Sequence, residues 1–167
     1  MLSENASEFL GMLGKLAEDH FNECYVEEQE NGPILLMSSS SPFDEEKEIA
    51  YSVQVEDGNN GFVLLQYLIM PFAGIPDEKL EELGKAICYI DPTLSYGNFI
   101  LIKEGNLVLF RQSAVVPDEM ETTTAIQYSL RSLFLMESTV FETGSMLHGL
   151  LNGQVTLEEI KAATAAQ

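Results

Sequence analysis

In the first stretch of the chain, Phe9, Leu10, Leu13, Leu16 and Ala17 recur at the three- and four-residue spacing that places them on one side of a helix. Asn5, with Glu8 three positions on, is a candidate capping pair, so residues 4–20 are expected to form an amphipathic helix. From Cys24 the spacing shortens. Extended runs are expected around Glu23 to Glu28 and, after the turn signal Asn31-Gly32-Pro33, from Ile34 to Ser38. The acidic, serine-rich stretch from Ser38 to Glu46 reads as a solvated loop. Ile49, Tyr51, Val53 and Val55 then alternate with Glu48, Ala50, Ser52, Gln54 and Glu56, the period of two of a strand with one wet face. Asp57-Gly58-Asn59-Asn60-Gly61 turns the chain back into the run from Phe62 to Met70, and these runs together predict an antiparallel meander.

The second half repeats the theme. Leu80, Leu83, Ile87 and Ile90 recur at helical spacing after Pro76-Asp77, and Asp91-Pro92 ends the segment, which predicts a helix over 77–90. Asn98 to Lys103 and Leu107 to Gln112 read as two strands joined by the hairpin signal Glu104-Gly105-Asn106. Beyond Pro117, Met120, Ile126, Leu130, Leu133, Phe134, Phe141, Met146 and Leu147 keep mostly helical register, with Gly144 expected as a break or cap. Thr156 with Glu159 opens a last short helix over Leu157, Ile160 and Ala163. The order α-β-β-β(-β)-α-β-β-α-α groups strands into meanders separated by helices, which predicts an α+β fold: an antiparallel meander sheet flanked by helices. With no long linker, residues 1–167 are expected to be a single domain, with a core over 1–149 and a C-terminal helical extension over 150–167.

The strand faces carry more information than their positions. From Phe62, one face shows Phe62, Leu64, Gln66, Leu68 and Met70 and the other Val63, Leu65, Tyr67 and Ile69, so both are apolar; the later hairpin shares this tendency. Antiparallel sheets commonly leave one face wet. Either helices cover both faces here, or one face is covered by a second copy of the chain or a bound polypeptide. At about 25 cal/mol per Å² of apolar surface, a few exposed side chains of this size represent several kcal/mol of association free energy.

Charge narrows the partners. The chain has 8 Lys+Arg against 27 Asp+Glu, a formal net charge of −19, which repels phosphate backbones and anionic lipid and argues against nucleic acid and membrane partners. The first 60 residues hold 14 acidic and 2 basic residues, a net −12. This imbalance reads either as a solubility device or as a patch for a basic partner. A chain of this length buries roughly 70% of its unfolded surface, so no metal or disulfide staple is required. Cys24 and Cys88 stand far apart with no pairing motif, and Met1-Leu2-Ser3-Glu4-Asn5 lacks the basic start of a signal peptide. The longest apolar window, residues 62–72, falls short of the roughly 20 residues that span a bilayer. A cytoplasmic location is the expectation.

No catalytic motif stands out. His20, Glu23 and Cys24, with His148, match no strong zinc spacing, and Asp44, Glu45, Glu46 and Glu48 lack the alternating ligands and central glycine of a calcium loop. Neither a nucleophile elbow nor a phosphate-binding glycine loop is present. The reading is therefore of a non-enzymatic protein without a cofactor or metal. Tyr67, Met70, Phe72, Phe110 and Met136 combine large apolar area with adaptable packing and are candidates for a partner-binding or dimer surface, or else for the core. Arg111 and Arg131, scarce cations in apolar surroundings, either pair internally with carboxylates or anchor an acidic group of a partner.

The segment Tyr96-Gly97-Asn98-Phe99, followed by Glu104-Gly105-Asn106-Leu107-Val108-Leu109-Phe110-Arg111 and a long helix, resembles the C-terminal half of YbjN-like proteins and the related type III secretion chaperone-like fold. The order of elements over residues 4–147 is similar as well. The tail from about Leu150 and the unusually apolar Phe62 strand depart from that pattern. The resemblance implies an acidic, dimeric, non-enzymatic protein that holds a partner polypeptide extended against apolar grooves. The leading expectation is a chaperone-like protein-binding module, acting as a homodimer, that holds a polypeptide partner on an apolar sheet or helix surface. The alternative is a small-molecule sensing or regulatory domain in which the same apolar faces line an internal pocket.

Overall fold

In the computed structural model, which describes residues 1–58 and 60–166, the chain runs α1 (Ala6–Ala17), β1 (Glu23–Gln29), β2 (Gly32–Ser40), β3 (Glu48–Asp57), β4 (Phe62–Ala73), α2 (Asp77–Ile90), β5 (Asn98–Ile102), β6 (Leu107–Pro117), α3 (Thr122–Leu151) and α4 (Leu157–Ala165). The α+β class expected from the patterning is the one found. All six strands form one antiparallel sheet in the order β1-β2-β3-β4-β6-β5. The turn between β3 and β4 is held by the Gly58 N–H donating to the Phe62 carbonyl at 3.1 Å; Asn59, expected in that turn, and Gln167, at the end of the expected extension, lie outside the described residues.

The helices lie on one face of this sheet. Leu35 and Met37 on β2, Ile49, Tyr51, Val53 and Val55 on β3, and Val63, Leu65, Tyr67 and Ile69 on β4 are buried. Their alternating neighbours are half-buried or exposed. Helix α1 packs against β1, β2 and β3, α3 against β4 and β6, and α2 against β5. Of the two coverings weighed from sequence, helices on both faces is therefore not the arrangement adopted.

Several boundaries shift for physical reasons. Strand β4 runs on through Pro71, which has no N–H for the ladder, and the pairing with β6 slips between Ile69 and Phe72. Strand β6 extends beyond Gln112 to Pro117 because it pairs with β4 along that length. Asn5 does not cap α1: its side chain donates instead to the Met1 carbonyl at 3.1 Å. Gly144 does not break α3, which is continuous over 30 residues. It is buried there because a Cβ would stand 2.8 Å from Phe43 Cζ, so the glycine admits an aromatic ring against the helix backbone.

The capping box at Thr156 and Glu159 forms as expected, with the Thr156 N–H donating to Glu159 Oε2 at 2.8 Å and the Glu159 N–H to Thr156 Oγ1 at 3.3 Å. It starts α4, whose Ile160 is buried and which packs on α2. Lys161 Nζ sits 5.9 Å from the Tyr89 ring centroid, in cation–π range.

Candidate functional site

The seven residues singled out from sequence are not brought together. Tyr67, Phe110 and Met136 are fully buried and Phe72 nearly so, hence they are core rather than surface. Tyr67 and Phe110 occupy strand positions whose phase turns them toward the helices, and Met136 lies on the inner side of α3. Met70 falls on the opposite phase of β4, Arg111 on that of β6, and Arg131 on the outer side of α3. Neither arginine makes an ion pair with another described residue, so the expected internal pairing with carboxylates is absent among those residues.

The helix-free face of the sheet forms a continuous surface whose rows follow from the register. Tyr25, Leu36, Ser52, Leu68, Arg111 and Asn98 line up across all six strands. A neighbouring row holds Ser38, Ala50 and Met70, with Leu109 and Ile100 paired beyond the bulge. Another holds Glu56, Leu64 and Val115, and Val115 is 69% exposed. The interior of this face is leucine, isoleucine, methionine, serine and glutamine. Arg111 is its one cation among the described residues, while Glu23, Glu27, Glu48 and Glu56 stand toward the β1 side and the strand ends. The sequence signal for the surface was the double apolar character of the Phe62 strand. Leu36, which packs into the same surface from β2, carried no such signal because its run was short.

A second apolar surface lies on the helix side. Met12 and Leu16 on α1 and Tyr128, Phe134 and Leu135 on α3 are exposed, Leu16 to 60%. Tyr128, Arg131 and Leu135 share one side of α3 at three- and four-residue spacing.

Between sheet and helices runs a buried polar chain. The Tyr51 hydroxyl donates to Glu137 Oε1 at 2.7 Å, and accepts from Ser39 Oγ at 2.8 Å because its single proton is committed to the carboxylate. His20 Nε2 donates to Glu137 Oε2 at 2.7 Å. His20 thus pairs with a carboxylate of α3 and not with the neighbouring Glu23 and Cys24 considered from sequence. Burial pushes the Tyr51 hydroxyl far above its ordinary range, as it does for Tyr67, which shares a 2.9 Å hydrogen bond with Ser129. Burial, with Glu18 nearby, also raises the Cys24 thiol. Among the described residues no three His, Cys, Asp or Glu side chains are grouped to hold a metal ion.

A cleft of about 580 Å³ opens where the β2–β3 loop, the end of β4 and the end of α3 meet. Met70 and Phe72 line it, the one pair of predicted contact residues that share a site. Phe43, Phe72 and His148 form a ring cluster on its wall: Phe43 stands 5.1 Å from Phe72 and 5.6 Å from His148, and Phe72 and His148 stack in parallel at 6.4 Å. Asp44, Lys47, Glu48 and Asn152 supply polar groups.

No protein-family model matches the chain, and no curated protein shows significant similarity to it. No helix among the described residues is long and apolar enough to cross a membrane.

Proposed function

We propose that the chain is a non-enzymatic, chaperone-like protein-binding module that holds a polypeptide partner on its helix-free sheet face. The observation that carries this reading is the single-sided placement of the helices, which leaves Leu36, Leu64, Leu68, Met70, Ile100 and Leu109 half-buried with no helix over them, and Tyr25 and Val115 exposed, on a sheet whose interior bears one charge. Apolar area of this kind gains free energy when a partner removes it from water. Arg111, on β6 beside the edge strand β5, offers a directional contact to a carboxylate or main-chain carbonyl of the partner. The acidic margin favours partners that carry basic residues beside their apolar ones. The resemblance of residues 96–111 to YbjN-like proteins and secretion chaperones points the same way. The exposed stripe of α1 and α3 suits a homodimer contact, so the two apolar surfaces serve different associations.

The test is selection of binders from a displayed peptide library against wild type, followed by titration of Leu68→Glu and Arg111→Glu variants of unchanged melting temperature. Wild-type binders that lose at least tenfold in affinity with Leu68→Glu support the reading. A library that yields no binders, or binders indifferent to both substitutions, removes it. Size-exclusion chromatography with light scattering checks the dimer, which Leu135→Glu should dissociate.

A further inference from the structure

We infer that the cleft between Phe43, Phe72 and the end of α3 is a binding site for an organic cation, an ammonium or guanidinium group carried on an apolar body. The cleft's volume falls within the range of small-molecule sites. One wall is aromatic, and aromatic faces attract cations through their quadrupole. Two carboxylates, Asp44 and Glu48, also line the cleft. Leu151 and Asn152 place the C-terminal end of the 30-residue α3 at the cleft, and that end carries the negative pole of the helix.

The loop holding Asp44 and Phe43 is built rather than loose. The Ser41 N–H donates to the Lys47 carbonyl at 3.0 Å, the Lys47 N–H to the Asp44 carbonyl at 3.0 Å, and the Phe43 N–H to Ser41 Oγ at 3.2 Å. Asp44 Oδ1 accepts from the Glu46 N–H at 3.1 Å. That bond, with Lys47 beside it, holds the Asp44 carboxyl below the usual range, so it is ionised at neutral pH. Glu48 Oε1 accepts from Asn22 Nδ2 at 3.0 Å, which orients it.

The cleft's own cation marks the place a ligand would take. Lys47 Nζ lies 3.2 Å from Asp44 Oδ2, yet its side chain is 67% exposed. Exposed ion pairs of this kind are weak and readily exchanged. A cation that also carries apolar surface gains contact with Phe43 and Phe72 that the lysine head does not make, and so displaces it. An anion faces two carboxylates and the helix end, and is rejected. The cleft borders the sheet face at Met70, but its cation chemistry rests on Phe43, Phe72, Asp44 and Glu48 and not on what binds that face.

The experiment titrates phenethylamine, phenethyl alcohol and 3-phenylpropionate into the intact protein, following the His148 ring and the Asn152 side-chain amide by NMR. The inference expects the amine to shift both signals, with the alcohol and the acid at least tenfold weaker. Asp44→Asn, whose amide oxygen can keep the Glu46 N–H bond, should weaken the amine at least fivefold while the protein still folds. Phe43→Leu, which keeps an apolar group over Gly144, should weaken it as well. Equal binding of amine and alcohol, stronger binding of the acid, no shift at millimolar amine, or indifference to Asp44→Asn would each overturn it. An Ala-Lys-Ala peptide, run beside phenethylamine, decides whether the cation comes from a basic side chain of a polypeptide or from a free amine.

Discussion

The Tyr51 hydroxyl and the Glu137 carboxylate, 86 positions apart in the chain, meet in a 2.7 Å hydrogen bond beneath the sheet. Tyr51 is the donor that allows Glu137, only 8% exposed, to be buried as an acceptor. Its removal therefore costs more than one ordinary hydrogen bond, because the carboxylate keeps its desolvation penalty and Ser39 loses its acceptor. Tyr51→Phe is expected to destabilise the protein by about 1–3 kcal/mol. Urea denaturation checks this, and a double-mutant cycle with Glu137→Leu should show coupling, since an apolar partner leaves nothing to satisfy.

Asp118 ties down the N-terminus: Oδ1 accepts from the Ser3 N–H at 2.8 Å and Oδ2 from the Ser3 hydroxyl at 2.9 Å. The Ser3 N–H bond, opposed by partial desolvation, holds the Asp118 carboxyl below the ordinary range. A group whose folded pKa is depressed adds stability above its unfolded value, near pH 3.9, and loses it as pH falls through the folded one. Asp118→Asn should thus be less stable than wild type from pH 5 upward, with the two curves converging below about pH 3.9. Urea midpoints measured from pH 3 to pH 7 decide it, and a constant gap across that range would refute the assignment.

Gly97 and Gly144 look alike in sequence but should respond differently to alanine. Gly97 has φ +66°, and a Cβ there would lie 2.6 Å from the buried Phe110 ring and 2.8 Å from the Arg111 carbonyl. Backbone strain alone is worth about 1–3 kcal/mol, and the ring has no room to move, so Gly97→Ala should lower the melting temperature sharply. At Gly144 the obstacle is the far end of the half-buried Phe43 side chain. Gly144→Ala should fold with a smaller loss but push Phe43 toward the cleft, and amine binding should report the shift.

Neighbouring residues on β4 separate the two faces of the sheet. Leu65, fully buried against the helices, should cost about 2–5 kcal/mol as Leu65→Ala. Leu68→Glu, on the helix-free face, should stay within about 1 kcal/mol of wild type, as surface substitutions usually do, while partner binding is lost. Thermal denaturation of the pair is the check; a Leu68→Glu loss as large as that of Leu65→Ala would mean that this face is already covered.

What could be read in the sequence was local. Ile49 to Glu56 announced a strand by alternation, residues 77–90 a helix by period, and Thr156 with Glu159 a cap, because each signal is complete within a few residues. The choice between Leu64 and Leu65 as the outward residue was not legible: both are leucine, and the side taken by α3 decides. Tyr67, Phe110 and Met136 read as surface or core for the same reason, since chemistry that suits an interface also suits a core. The partner of Glu137 was hidden because Tyr51 and His20 lie 86 and 117 positions away. Gly144 misled because its cost inside a helix is only about 1 kcal/mol, and the 30-residue helix with Phe43 packed on it outweighs that.

The chain order of the sheet also dictates when its parts can assemble. Strands β2 to β4 each meet their predecessor across a short connection, and β5 meets β6 in the same way, whereas β4 waits for β6 until α2 and β5 have passed. Loop-closure entropy grows with the length enclosed, so two locally zipped halves form early and the Leu68–Arg111 seam between them closes late. During synthesis the first half leaves the ribosome with the β4 edge unpaired along its most apolar stretch, a template for pairing with another nascent chain. The net −12 carried by the first 60 residues falls on that same half. Mutual repulsion among unfinished chains is thereby strongest in the interval when their open edges are most exposed.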